Sequence, residues 1–228
     1  VQTCALPISF PNPIAPIAHH WLDSTHISFG VVTTGIVTPR WKVETSFFNG
    51  REPDPNRKDF DLAALDSVSG RFSYAPAAGM SLQLSAAHLN QAEAGIGRQP
   101  RTDVNRLTAS AIAHRKIGVD RWWATTAAFG LNAHDAIIPT GLVHQTTPAA
   151  LVESSYLRGE RDAWFGRAEL VDKPAHDLHA HEYAERTFVL TKFQGGYVHY
   201  LRPWKGLLPG IGGSVDATVL PVELAPRY

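Results

Sequence analysis

The chain has 228 residues, with 21 basic against 21 acidic side chains and a formal charge of zero. That balance argues against a nucleic-acid binder, which shows a clustered basic excess. A hydrophobic content of 44% argues against disorder, and the sequence has no apolar run near the ~18 residues that a membrane-spanning helix needs.

Val1 to Ile8 (VQTCALPI) resembles the conceptual translation of a short-read sequencing adapter and is set aside from the fold reading. The natural segment is then expected to continue upstream of about Ser9. Cys4, the single cysteine, falls in the part set aside, so thiolate metal sites and disulfides drop out. Residues 9–24 open with the proline-rich SFPNPIAPIA and read as an extended connector.

From residue 25 to 228 the pattern is that of one β domain. A first strand is expected over Thr25 to Val37, a tight turn at Thr38-Pro39-Arg40, and a second strand over Trp41 to Asn49. In the second, Trp41, Val43, Thr45 and Phe47 share one face and Lys42, Glu44 and Ser46 the other, the period of two that a pleated strand imposes. A long polar loop follows. Strand three (Asp66 to Ala75) sets Val68, Gly70, Phe72 and Tyr74 opposite Ser67, Ser69, Arg71 and Ser73. Pro76 to Gly79 turns into strand four, Met80 to Leu89. Asn90 to Thr102 reads as a loop, and strand five runs from Asp103 to His114. Strand six spans Trp122 to Leu131, and Asn132 to Gln145 reads again as a long loop. Strand seven, about Pro148 to Leu157, has the weakest pattern. Strand eight (Ala163 to Val171) places Trp164, Gly166, Ala168 and Leu170 opposite Arg167 and Glu169. A histidine-rich loop, Asp172 to Ala184, leads to strand nine (Glu185 to Tyr200) and strand ten, ending near Val219.

Connections that alternate short and long, with Trp41, Tyr74, Trp122, Trp164, Tyr200 and Trp204 near strand ends, fit an outer-membrane barrel. The expected fold is therefore all-β: an antiparallel, up-and-down transmembrane β-barrel, incomplete, of about ten strands at ~10 residues each. Glu44, Arg71, Arg106, Arg167, Glu169 and Lys192 are expected to line its lumen, because charge on the lipid face is costly. Arg51 and Glu52, in the loop after strand two, are candidates for a salt-bridged constriction folded inward. A water-soluble antiparallel barrel or sandwich acting as a binding module is the competing fold.

Four stretches carry a resemblance: HHWLDSTHISFGVVTTG, WKVETSFFNGREPDPNR, DFDLAALDSVSGRFSY and FGRAELVDK. They resemble a family of uncharacterised bacterial outer-membrane proteins, over most of Pro11 to Tyr228. The resemblance implies an envelope barrel with further strands at both ends, the last rich in aromatics and arginine. Val68 stands where family members carry tyrosine in a DSYSGR-like run. No activity is established for the family, so no catalytic residue carries over.

Two histidine groups suggest a divalent metal. His19, His20, Asp23 and His26 have the three-residue spacing that would converge on a helical turn, and His176, His179 and His181 lie in the loop after strand eight. Read without a metal, both are polar residues at a barrel mouth. Asp54, Asp59, Asp61 and Asp66 fail the calcium-loop spacing at Lys58. Ser24 and Ser28 near His26 form no nucleophile motif, and neither G-x-S-x-G nor a phosphate-binding glycine loop is present. No enzyme and no resident cofactor is expected. The expected role is a pore-like or structural component of the bacterial outer membrane, with membrane lipid and small solutes as partners and no nucleic acid. A metal-handling barrel is the alternative.

Overall fold

A computed structural model describes residues 11–22, 28–53, 56, 60–93, 101–138, 141–159, 161–183 and 186–227. They form one antiparallel up-and-down sheet in which each strand pairs with its neighbours in sequence. The strands are β1 (Val31–Val37), β2 (Trp41–Phe48), β3 (Ser67–Tyr74), β4 (Met80–Glu93), β5 (Thr102–Lys116), β6 (Arg121–Ile138), β7 (Gly141–Arg158), β8 (Asp162–Pro174), β9 (Thr187–Tyr200) and β10 (Gly210–Val219). A short helix, α1 (His19–Leu22), precedes them.

The sheet is not closed into a barrel: β1 and β10 are the two edges of the ten-stranded sheet and do not pair. Residues of both edge strands are exposed on both faces.

Short connections join the strands at one end of the sheet. At the first, the Thr38 hydroxyl accepts from the Trp41 amide at 3.0 Å and donates to the Trp41 carbonyl at 2.9 Å, closing the turn with its own side chain. At the second, Gly79 adopts a φ of +78°, and a Cβ there would meet the His114 carbonyl oxygen at 2.4 Å. Only glycine combines that dihedral with that approach.

The segment Asn132 to Gln145 corrects the expected rhythm of loops. It is not a loop, because β6 continues to Ile138 and β7 starts at Gly141, with His134 opposite Gln145 and Asp135 opposite His144. Its polar residues are paired across the ladder rather than solvated in a turn. Strand one is also shorter than expected, beginning at Val31 rather than Thr25.

Residues 11–22, expected as a mere connector, lie against one face of β5–β9, called here the inner face. Ala18 and Trp21 pack with Ala149, Leu151 and Val171. Ile17 packs beside a second cluster of Ala175, Ala180, Phe188, Leu190 and Leu224, so the segment after β10 closes on the same side. The fit is tight at Gly130 of β6, where a Cβ would meet the Trp21 carbonyl oxygen at 2.4 Å. Gly130→Ala is therefore expected to cost about 1–3 kcal/mol by forcing the segment off the wall. Gly70→Ala, on the opposite face with open space around it, is the control, and thermal unfolding of both variants compares them.

Candidate functional site: the charged inner face

Strand alternation places Glu44, Arg71, Arg106, Arg167, Glu169 and Lys192 on the inner face together. Glu44 is opposite Arg71 across β2–β3, and Lys42 reaches Glu44 at 2.8 Å. Arg106 donates from Nε to Asn132 Oδ1 at 2.6 Å across β5–β6. Lys192 lies 3.3 Å from Asp216 of β10.

Arg167 and Glu169 belong to the densest part. Arg167 is ion-paired to Glu153, its direct cross-strand neighbour on β7, and lies 3.7 Å from Glu169. These three side chains are almost wholly buried (0% for Arg167, 1% for each glutamate). Gln194 of β9 completes the row beside Arg167. Burial of such charges is tolerable only where each is paired and hydrogen-bonded.

Residues 11–22 supply further partners. Asn12 Nδ2 donates to Glu153 Oε2 and to Gln194 Oε1, each at 3.0 Å. Arg167 Nη1 donates to the Ile14 carbonyl at 2.8 Å, and the Ala18 amide donates to Glu169 Oε2 at 3.1 Å. Further along, Trp21 Nε1 donates to Thr147 Oγ1 at 2.9 Å and Asn132 Nδ2 donates to the His20 carbonyl at 3.2 Å. The wall thus grips a polypeptide backbone through side chains, carboxylate to amide and guanidinium to carbonyl.

Sequence reasoning missed Asn12, Glu153, Gln194 and Asp216. A signal for Glu153 was present. Arg158 of β7 pairs with Asp162 of β8, and counting back from that pair puts Glu153 opposite Arg167.

Arg51 pairs with Asp66 rather than with Glu52. Its Nη2 lies 2.6 Å from Asp66 Oδ2, and its Nε donates to Gln91 Oε1 at 3.3 Å. Glu52 Oε1 instead sits 3.8 Å from His20 Nδ1, which ties this loop to α1. His19 lies against His20 with ring centroids 4.3 Å apart and the rings tilted by 42°, and its Nδ1 is 2.8 Å from the Pro16 carbonyl oxygen. Asp23 and His26 lie outside the described residues. His176 and His181 sit in 3₁₀ turns (Ala175–Leu178 and His181–Tyr183), with His179 between them at a φ of +53°. Among the described residues, no group of three or more His, Cys, Asp or Glu could hold a metal ion. Beyond β10, the Glu223 carboxyl is held below its usual range by its own backbone amide and by Arg186, which lies 3.1 Å away.

The outer face is the chemical opposite. Val152, Leu170, Phe193 and Val215 are 51, 43, 52 and 78% exposed there. One cross-strand row reads Ala127, Val152, Ala168, Phe193, Ala217. Nearer the short turns, another reads Trp123, Tyr156, Trp164, Tyr197, with successive ring centroids 5.8 and 5.2 Å apart over the last three. Charge appears on this face only toward strand ends: Asp103 and Arg115 on β5, Arg121 and Asp135 on β6, Arg158 on β7, Asp162 and Asp172 on β8. Comparison with protein-family models, with curated proteins and with solved structures gives no match in any of the three.

Proposed function

We propose that this sheet is the wall of a transmembrane β-barrel of the bacterial outer-membrane type, a pore-like or structural envelope protein whose bore carries mixed charge. One observation carries the reading: a continuous apolar, charge-free band on the exposed outer face, above an inner face rich in paired charge. A soluble protein does not leave such a band open to water, since contiguous exposed apolar patches mark contact with a membrane or a partner.

The dimensions agree. On β6 the band runs from Trp123 to Ala133, ten residue steps. At ~3.4 Å per step and a tilt of roughly 40°, it covers about 26 Å of membrane normal, against the ~25 Å apolar band of outer-membrane barrels. The aromatic row from Trp123 to Tyr197 lies along one border of the band, where amphipathic rings settle at a membrane–water interface. Charges on the inner face are then wetted by the bore or paired across it.

The reading requires that the edges at β1 and β10 be paired by further strands, because hydrocarbon leaves backbone amides and carbonyls no other partner. Extraction and reconstitution test it. The chain is expected to need detergent, to incorporate into phospholipid vesicles, and to keep its β spectrum there. A chain that remains monodisperse in buffer without detergent would sink the envelope assignment.

A further inference from the structure

We propose that residues 11–22 are a releasable plug in the bore, latched at mid-depth by Asn12. The proposal rests on reading the inner face as a wet bore. Residues Glu153, Arg167 and Gln194 form one cross-strand row, and the outer neighbours of that row, Val152, Ala168 and Phe193, lie in the middle of the apolar band. Asn12 binds there. Ala18 binds Glu169, two residues nearer the long-loop end of β8, and Trp21 binds Thr147, farther in the same direction on β7. The segment therefore climbs lengthwise from mid-depth toward the end at which β1 begins, against β5–β9.

Release rather than permanent packing follows from the chemistry of the grip. A fixed core segment is held mainly by apolar area; here four residues, Ile17, Ala18, Trp21 and Leu22, contribute to the clusters. Several of the other attachments are hydrogen bonds with Glu153, Arg167 and Glu169, side chains that already lie within ion-pair distance of one another. Glu153 with Arg167, and Lys192 with Asp216, keep their partners when the segment leaves. Water can replace each lost bond at little cost, as for other exposed polar groups. The wall is thus suited to two states, covered and wet. Asn12 is the strongest candidate latch, because its amide bridges β7 and β9 over Arg167 while its Oδ1 fixes the Ile14 amide at 3.1 Å.

The test is thiol accessibility on the full chain in detergent, in a Cys4→Ser background. Ala149→Cys reports the wall beneath the segment, since Ala149 is fully buried against Ala18 and Trp21. Thr33→Cys reports the uncovered inner row of β1. With Asn12 intact, a small charged thiosulfonate is expected to label position 149 at least tenfold more slowly than position 33. Asn12→Ala is expected to raise the rate at 149 at least fivefold and leave that at 33 unchanged. Asn12→Leu, which keeps the side-chain shape without the amide, should do the same if Asn12→Ala folds poorly. Equal rates at the two positions in the parent overturn the plug. An unchanged rate at 149 in both latch variants, or loss of the β spectrum in both, makes the segment a fixed core element and overturns release. These outcomes are independent of the detergent requirement, so failure of the membrane reading is separately visible.

Discussion

Replacing Arg167 by methionine is expected to destabilise the chain by roughly 3–5 kcal/mol, the cost of leaving a buried opposite charge uncompensated. The guanidinium is fully buried and neutralises Glu153 directly, with Glu169 3.7 Å away. Methionine preserves much of the volume, so cavity formation is a minor contribution. What remains is two nearly inaccessible carboxylates and an Ile14 carbonyl that has lost its donor. Adding Glu153→Gln should recover part of the loss, because one of the stranded charges disappears. The two changes should then be non-additive by more than about 1 kcal/mol, as expected for residues sharing one network. The exposed Arg186–Glu223 pair is the contrast: Arg186→Met should leave stability within measurement error. Denaturant titration in detergent measures all four variants. Parent-like stability of Arg167→Met would mean that water reaches the pair and that the inner face is open at this point.

The strands were legible because their two faces differ in chemistry. In β8, Arg167 and Glu169 alternate with Trp164, Ala168 and Leu170, and the burial pattern reproduces that alternation residue by residue. Glu44, Arg71, Arg106, Arg167, Glu169 and Lys192 share one face for the same reason. Legibility failed where both faces turn polar at once. Between Asn132 and Gln145 the inner row carries Asn132, His134 and Gln145 and the outer row carries Asp135 and His144, so a strand looked like a loop. Local pattern cannot separate the two. The ladder decides, through partners many residues away. The role of residues 11–22 was hidden for a related reason: Asn12 is 141 residues from Glu153 and 182 from Gln194. Proline spacing describes the shape of such a segment but not what it lies against. Closure was not legible, because the rhythm of connections describes neighbouring strands and says nothing about the first and last.

An arginine at the centre of the outer face separates lipid from every other surrounding. Ala168 sits in the middle row, between Val152 and Phe193, and points away from Arg167. In a bilayer, Ala168→Arg places a charge near the midplane and is expected to cost about 2–4 kcal/mol. Thr146→Arg, on the outer face of β7 toward the far end of that strand, should cost only about 0–1 kcal/mol, since charge there reaches the interface. Water around the same face would make both changes nearly neutral, within about 0.5 kcal/mol, as for ordinary surface positions. A protein partner or second sheet would penalise the central position too, but it would do so without lipid, and the penalty would track protein concentration or an oligomer. Folding equilibria in phospholipid vesicles, set beside the same variants in detergent, therefore discriminate among the three. A central-to-edge difference below about 0.5 kcal/mol in vesicles removes the depth dependence that hydrocarbon imposes, and with it the reason for the charge-free band.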